Sequence, residues 1–200
     1  EGFSDFDAVI HRTGDVMLDA AIFYAQKAEQ MPSELPQMPA KFALCTMHRA
    51  ENTDNFERLS AFVEHLNALH RQVLTVVVPL HPRTKKKLIE HGLELKVNTV
   101  DPVGYFNMIR LLKTCEVVLT DSGGLQKEAF FFNKQCLTMR EQTEWTELVQ
   151  EGYNQLVFPD TDLCSTVKQV LSKTTDFDKD LYGKGNAGEE IVDRIVTFCG

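Results

Sequence analysis

The sequence predicts an α/β fold built on a doubly wound parallel sheet. Six short apolar segments alternate with segments whose apolar residues recur at helical spacing, which is the order expected of such a sheet. The segment 73–79 is rich in β-branched residues, as is typical of strands buried on both faces. The chain has 200 residues, 43% of them hydrophobic, which is enough to bury one substantial core.

Residues 1–40 are expected to precede the sheet domain. Residues 6–10 resemble the end of a strand, and residues 14–30 are predicted to form an amphipathic helix. Three prolines within 32–39 then favour an extended linker, because proline lacks the backbone N–H that a helix needs. The sheet domain is therefore assigned to residues 41–200. Since the chain does not begin with methionine, we expect it to be a fragment with earlier residues missing.

The elements of the sheet domain follow in order. Strands are predicted over residues 41–47, 73–79, 97–100, 117–119, 135–139 and 155–158. Helices are predicted over residues 56–71, 82–91, 105–114, 141–150, 161–172 and 188–198, with one more starting after Ser122. Pro82 suits the first position of its helix. Ligands of such sheets bind at the carboxyl ends of the strands, so polar residues there are candidates.

The most distinctive motif is Asp121-Ser122-Gly123-Gly124, which follows the fourth strand and precedes a helix. Ser122 is a favoured N-cap residue, and the glycines let a ligand approach N–H groups at the positive end of the helix dipole. This geometry suits a phosphate or diphosphate. Glu128 lies roughly 9 Å further along the helix axis, at about 1.5 Å per residue, where it could bind a sugar diol. The motif therefore indicates a nucleotide.

Polar side chains also follow the first two strands: His48, Arg49, Glu51, Asn52 and His81. Histidine and arginine at these positions offer hydrogen-bond donors to a phosphate or diphosphate. Competing interpretations are open. Arg49 and Glu51 could simply pair on a surface loop, Asn52 or Thr53 could cap the next helix, and His81 could cap its helix or fill space.

Two further clusters follow the third and fifth strands. The turn 102–106 carries Val103, Tyr105 and Phe106 and could recognise a planar base, although the pattern alone favours a plain connection with a core phenylalanine. Arg140 could clamp a sugar or phosphate, while Glu144 could pair with it or bind a hydroxyl. Because these clusters share one edge of the predicted sheet, we expect them to form a single site.

Charge, hydropathy and cysteine content argue against several classes of protein. The net charge of −8 argues against a nucleic-acid surface, and no apolar segment approaches the ~20 residues of a membrane span. Five scattered cysteines without a C-x-x-C pair indicate reduced thiols in a cytoplasmic protein and no metal site. A G-x-G-x-x-G match at 183–188 lacks a preceding strand, so we interpret it as a loop.

Five motifs, in order, resemble those of the non-hydrolysing UDP-N-acetylglucosamine 2-epimerases. They are His-Arg-Ala-Glu-Asn at 48–52, His-Pro-Arg-Thr at 81–84, Pro-Val-Gly-Tyr at 102–105, Asp-Ser-Gly-Gly-x-x-x-Glu at 121–128 and Arg-x-x-Thr-Glu at 140–144. The resemblance implies a glycosyltransferase-B architecture, with two Rossmann-like domains and an active site in the cleft between them. This chain would be the second, UDP-binding domain.

The resemblance also implies roles for the motif residues. The turn 122–124 would bind the diphosphate, Glu128 the ribose, and the loop 102–106 would lie beside the uracil. Arg140 and Glu144 would line the sugar side.

His48 is the residue of this chain to which the resemblance gives a catalytic role, because it would contact the diphosphate and help the nucleotide leave. In the family, UDP is eliminated in the anti sense and then re-added on the other face, without a cofactor. The main acid–base carboxylates belong to the first domain, which this chain lacks. We therefore expect these residues alone to bind UDP without epimerising, and the full-length protein to be a homodimer.

One departure concerns the substrate. Gly-Asp-Val-Met at 14–17 and Glu-Trp-Thr-Glu-Leu at 144–148 resemble the branch acting on 2,3-diacetamido-glucuronic acid nucleotides as much as the plain enzyme, in which an arginine more often stands at Trp145. The substituents at C3 and C6 of the sugar therefore stay open. A glycosyltransferase donor domain and a non-catalytic UDP-sugar sensor are the alternatives from other functional classes.

Overall fold

The computed structural model describes residues 6–199, and over that range six strands form one parallel sheet. The strands are β1 (Ala43–Thr46), β2 (Val76–Pro79), β3 (Asn98–Val100), β4 (Val117–Thr120), β5 (Cys136–Thr138) and β6 (Asn154–Leu156). Their order across the sheet is β3-β2-β1-β4-β5-β6. The predicted doubly wound α/β class is confirmed. The order reverses between β1 and β4, and such sheets bind their ligands at this switch point.

Helices pack on both faces of the sheet, and others lie beside it. They are α1 (Val16–Gln30), α2 (Ala50–Thr53), α3 (Phe56–Gln72), α4 (Pro82–Glu90), α5 (Tyr105–Thr114), α6 (Gly123–Phe131), α7 (Thr146–Gln150), α8 (Leu163–Ser172) and α9 (Ala187–Cys199). Pro82 is the first residue of α4, as predicted. None of these helices within the described range is long and apolar enough to cross a membrane.

The structure differs from the sequence-based expectations at three places. Residues 6–10, which resemble the end of a strand in sequence, belong to no strand within the described range. The helix predicted over 141–150 begins only at Thr146, because the residues before it form a polar loop. The short helix α2 is inserted after β1, so α3 is capped by Asn55, whose side chain accepts from the Arg58 N–H, and not by Asn52 or Thr53.

The hydrophobic core lies on both faces of the sheet. Cys45 of β1 packs with α3 and α8 on one face, while the adjacent Leu44 packs with α5 and α6 on the other. Both side chains are completely buried. This two-sided burial fixes the pleat of the central strands, because a slip of one residue would exchange the faces of every side chain. The carboxyl ends of β1, β2 and β4 are thereby held at one edge.

Helices α1 and α9 pack against each other beside the sheet. The side chain of Asp19 in α1 accepts hydrogen bonds from the backbone N–H groups of Ala187 (3.1 Å) and Gly188 (2.7 Å) at the start of α9. Residues 183–186 of the G-x-G-x-x-G segment form a loop, as interpreted from the sequence, with positive φ at Gly183 and Gly185, and its last two residues begin α9. Its helix start is already occupied by a carboxylate of the chain itself.

Candidate functional site

A cleft of about 280 Å³ opens at the carboxyl ends of β1, β2 and β4. It brings together six of the residues predicted to bind a ligand, namely His48, His81, Val103, Ser122, Gly124 and Glu128. Most of the remaining wall is apolar and includes Met47, Pro79 and Leu125. A pocket with a mainly apolar wall and a few convergent polar groups is typical of a small-molecule site.

A buried carboxylate, Asp121, holds the loop after β1 against the end of β4. It is completely buried and accepts hydrogen bonds from the backbone N–H groups of His48 (2.9 Å) and Arg49 (2.9 Å). Its Oδ1 also lies 3.4 Å from Nδ1 of His48. Asp121 is not among the predicted site residues. The available signal was an acidic residue one position after the apolar stretch 117–119 and Thr120, since a carboxylate is buried at such a place only when donors surround it.

Asn52 supports the site from beneath. Its side chain is completely buried, and its amide donates to Asp121 (3.2 Å) and to the carbonyl of Met139 (2.8 Å). Its carbonyl oxygen accepts from the guanidinium of Arg58. These polar atoms are all engaged by other residues of the described chain, so Asn52 supports the loop after β1, and its contact with a substrate stays a prediction.

The start of α6 presents backbone N–H donors beside the cleft that hydrogen-bond to no acceptor of the described residues. The N–H of Ser122 donates to Thr120 Oγ1 (3.0 Å), which fixes the entry to the helix. The N–H groups of Gly123, Gly124 and Leu125 have no acceptor within an α-helix that begins at Gly123. Ser122 occupies the N-cap position as predicted, but its hydroxyl makes no capping hydrogen bond with the described residues. The turn can therefore offer several donors to one anion.

Glu128 places a carboxylate at the other side of this cleft. The residue is only 7% exposed, and burial raises the pKa of its carboxyl group, an effect that the Tyr105 hydroxyl partly offsets. Burial and the nearby Glu128 in turn raise the pKa of Tyr105. A carboxylate so placed can accept hydrogen bonds from two adjacent hydroxyl groups.

The aromatic residues of the turn after β3 face helix α1. The rings of Tyr105 and Phe106 lie 5.5 and 5.8 Å from the ring of Tyr24, measured between centroids. Val103 is the residue of the 103–106 segment that lines the cleft with its neighbour Pro102. The packed Phe106 fits the plain-connection interpretation, whereas Val103 is placed to contact a ligand.

Arg140 and Glu144 form an ion pair next to the turn, in which the guanidinium is buried and the carboxylate is half exposed. The guanidinium of Arg140, a residue 6% exposed, donates two hydrogen bonds to Glu144 (2.8 and 3.1 Å). This contact lowers the pKa of Glu144 and raises that of Arg140. A Cβ atom placed on Gly123 would lie 3.6 Å from Glu144 Oε2, so the pair borders the turn on the side where Gly123 lies.

Arg49 is the free guanidinium of this region. A Cβ on Gly123 would lie 3.7 Å from one of its terminal nitrogens, yet no carboxylate of the described residues lies within ion-pair distance of it. Glu51 instead lies 3.6 Å from Nε of Arg140. The interpretation that Arg49 and Glu51 merely pair with each other is therefore wrong.

His81 both caps helix α4 and lines the cleft. Its Nδ1 accepts from the N–H of Arg83 (3.1 Å), so it caps α4, as one of the two sequence interpretations proposed. Its ring also lines the cleft, 5.4 Å from the ring of His48 between centroids. Capping fixes the orientation of this ring at the edge of the site.

Comparisons with known proteins agree with this geometry. The sequence model of the UDP-N-acetylglucosamine 2-epimerase family matches residues 4–196. The chain is 50% identical to the UDP-2,3-diacetamido-2,3-dideoxy-D-glucuronate 2-epimerase of Pseudomonas aeruginosa, with 99% of this chain and 56% of that protein covered. It is 37% identical to a UDP-N-acetylglucosamine 2-epimerase of Methanococcus maripaludis, with 98% of this chain and 56% of that protein covered.

A solved structure has the same fold over most of this chain. It is the UDP-GlcNAc 2-epimerase of Methanocaldococcus jannaschii in complex with UDP-GlcNAc and UDP, with a TM-score of 0.81 and 36% identity. The match covers 93% of this chain and 54% of that one. This chain therefore belongs to the UDP-N-acetylglucosamine 2-epimerase family, and it spans about half the length of the curated relatives it matches.

Proposed function

We propose that this chain is the UDP-binding half of a UDP-sugar 2-epimerase. The observation that carries the proposal is that the free N–H groups at the start of α6 and the buried carboxylate of Glu128 border one cleft. A diphosphate suits the first group and a ribose diol suits the second, and a nucleoside diphosphate contains both. The relatives named above act on UDP-sugars, which supports uridine as the nucleoside.

The ligand runs across the cleft in the order of its chemical groups. The uracil lies beside Val103, the ribose at Glu128 and the diphosphate at the turn 122–124. The sugar lies towards Arg49 and the Arg140–Glu144 pair, on the side of the turn where Gly123 lies. Because Asp121 faces Nδ1 of His48, the Nε2 atom of His48 is the one available to the diphosphate.

The reaction is an elimination followed by an addition. A base takes the C2 proton, the C2–H electron pair forms a C1=C2 double bond, and UDP leaves with the electrons of the C1–O bond. Re-addition of UDP at C1, with a proton delivered to the other face of C2, gives the epimer. The role of this chain is to stabilise the charge that builds up on the leaving diphosphate.

The base lies on the half of the protein that these residues do not include, since proton transfer needs a group positioned at C2. In this proposal α1 and the proline-rich segment connect the two halves, and the full-length protein is a cytoplasmic homodimer that needs no cofactor. These residues alone would bind UDP without turnover.

A uronic acid substrate is the second candidate beside UDP-N-acetylglucosamine. Two observations favour it. One is the higher identity to the diacetamido-glucuronate enzyme, and the other is the guanidinium of Arg49 on the sugar side, which forms no ion pair with a carboxylate of the described residues. A guanidinium pairs well with a carboxylate such as that at C6 of a glucuronate. If so, Arg49→Gln should lower kcat/KM for the glucuronate by about tenfold or more, and far less for UDP-N-acetylglucosamine.

Isotope exchange tests the proposed reaction. The full-length protein is incubated in deuterated water with each of the two UDP-sugars, and deuterium at C2 is followed by NMR. We expect exchange together with epimerisation, whereas a glycosyltransferase or a sensor would leave C2 protonated. Residues 1–200 alone should bind UDP in calorimetry without exchange, and turnover by this half would contradict the assignment of the base.

A further inference from the structure

The carbonyl group of Gly123 carries a hydrogen bond from outside its helix. The indole Nε1 of Trp145 donates to it at 2.8 Å. The same peptide unit carries the N–H of Gly124, one of the free donors at the start of α6, and Gly124 lines the cleft. A side chain that does not line the cleft therefore holds one of the groups that would face the diphosphate.

Trp145 is itself fixed at two points. Its backbone N–H donates to Thr143 Oγ1 (3.1 Å), and that hydroxyl donates to Gln126 Oε1 of α6 (2.6 Å). The ammonium group of Lys127 lies 4.3 Å from the centre of the indole ring. These contacts tie both the main chain and the ring of Trp145 to helix α6.

Lys127 would be costly to bury without partners, because an isolated buried ammonium loses its hydration. The residue is 6% exposed and forms an ion pair with Asp15, the N-cap residue of α1. The ring of Tyr182 lies on it as well, at 5.1 Å. Asp15, Lys127 and Trp145 thus link the start of α1 to the start of α6.

The physical effect of the indole follows from the planarity of the peptide bond. Holding the Gly123 carbonyl also holds the direction of the Gly124 N–H, because both lie in one plane. A hydrogen bond to the carbonyl further polarises the N–H and makes it a better donor. The benefit is largest when negative charge builds up on the acceptor, as on a diphosphate that is leaving.

We propose that Trp145 is a positioning residue for the leaving diphosphate, acting through the Gly123–Gly124 peptide. The inference rests on the proposed function, since it concerns the same site. Trp145 does not line the cleft. It orients and strengthens the Gly124 donor, so its removal should affect the departing UDP more than the bound substrate.

The test compares two aromatic variants of the full-length protein. Trp145→Phe removes the indole N–H and keeps a ring over Lys127. Tyr182→Phe is the matched control, because it removes a 2.6 Å hydrogen bond to Glu147 in the same cluster but contacts neither Gly123 nor the cleft. UDP affinity, kcat, KM and thermal unfolding are measured for both.

We expect Trp145→Phe to weaken UDP binding about fivefold and to lower kcat about tenfold, with a smaller change in KM. Tyr182→Phe should lower thermal stability about as much as Trp145→Phe does. Its UDP affinity and kcat should stay within about twofold of the wild type. Equal effects of the two variants on kcat, or a wild-type kcat in Trp145→Phe, would overturn the inference.

Two further measurements separate a folding defect, or a wrong ligand, from loss of the positioning role. If Trp145→Phe does not fold, Trp145 is replaced by benzothienylalanine, which keeps the shape of the indole and lacks its N–H, with the same expected result. If the wild type itself fails to bind UDP, the proposed function is wrong. Wild-type UDP binding with unchanged kcat in the variant rejects the positioning role alone.

Discussion

Two helices of this molecule begin at glycine-containing turns, and their N-terminal N–H groups have different fates. At α9 the N–H groups of Ala187 and Gly188 are taken by the carboxylate of Asp19. At α6 the corresponding N–H groups are left facing the cleft, although Asp121 is only two residues before the helix. A glycine-rich helix start can therefore bind an external anion only where no anion of the chain already accepts from its N–H groups.

The sheet explains why Asp121 does not fill the start of α6. Its carboxylate lies at the end of β4 and is surrounded by the N–H groups of His48 and Arg49 from the loop after β1. The Asp121 carboxylate therefore accepts from the loop after β1 and not from the N–H groups at the start of α6. Asp19, in contrast, lies on α1 directly against the start of α9 and has no rival donors among the hydrogen bonds of the described residues.

Substitution of Asp121 should have the largest effect, because it disturbs the hydrogen bonds that hold the loop after β1 beside the start of α6. Asp121→Asn loses part of the acceptor capacity for the N–H groups of His48 and Arg49 in a fully buried place. We expect the free energy of unfolding to fall by about 3 kcal/mol and UDP affinity to fall at least about tenfold. Urea unfolding and calorimetry measure the two. A variant of wild-type stability would show that Asp121 is not the anchor of the site.

Replacement of Glu128 tests whether the cleft binds a nucleotide or any anion, because only a nucleotide brings a ribose to this carboxylate. Glu128→Gln keeps the shape of the side chain and removes the charged acceptor that we propose for the ribose hydroxyls. We expect UDP affinity to fall about tenfold to a hundredfold. Binding of inorganic diphosphate, which has no ribose, should stay within about twofold of the wild type. Equal losses for both ligands would contradict the ribose assignment.

The pH dependence of stability tests the burial of Glu128 in a second way. Burial raises the pKa of Glu128 above its ordinary value of 4.5, so the folded state holds the proton more tightly than the unfolded state does. The stability linked to this proton is fully present below pH 4.5 and is lost as the pH rises through the folded pKa. Relative to Glu128→Gln, the wild type should therefore lose stability with rising pH in thermal unfolding. A difference that does not change with pH would contradict the raised pKa.

Asp19 should give the smallest effect and serves as the counterpart of Asp121. Asp19→Ala frees the start of α9 by removing its acceptor, at a cost of about 1 kcal/mol in the free energy of unfolding. UDP affinity should be unchanged, because the freed N–H groups follow no strand and lie outside the cleft. Thermal unfolding and calorimetry measure both quantities. Any gain of UDP binding at this helix would show that a glycine-rich helix start without an internal acceptor is sufficient by itself to bind UDP.

Local sequence signals determined much of the fold and part of the site. The alternation of apolar segments predicted the six strands, and Pro82 marked the start of α4. The turn 122–124 after an apolar strand located the donors of α6, because a strand, an N-cap position and a helix are encoded by adjacent residues.

The tertiary structure alone decided which of these groups are free. Asp121 bonds to His48, Asp19 to the start of α9, and Trp145 to Gly123 across sequence separations of 73, 169 and 22 residues. It also decided that Asn52 is buried beneath the site and that Arg140 pairs with Glu144, whereas Arg49 forms no ion pair within the described part of the chain. A local pattern can place a donor at a strand end. Whether that donor meets a ligand or a carboxylate of its own chain depends on which distant segment packs beside it, and only the folded sheet determines that.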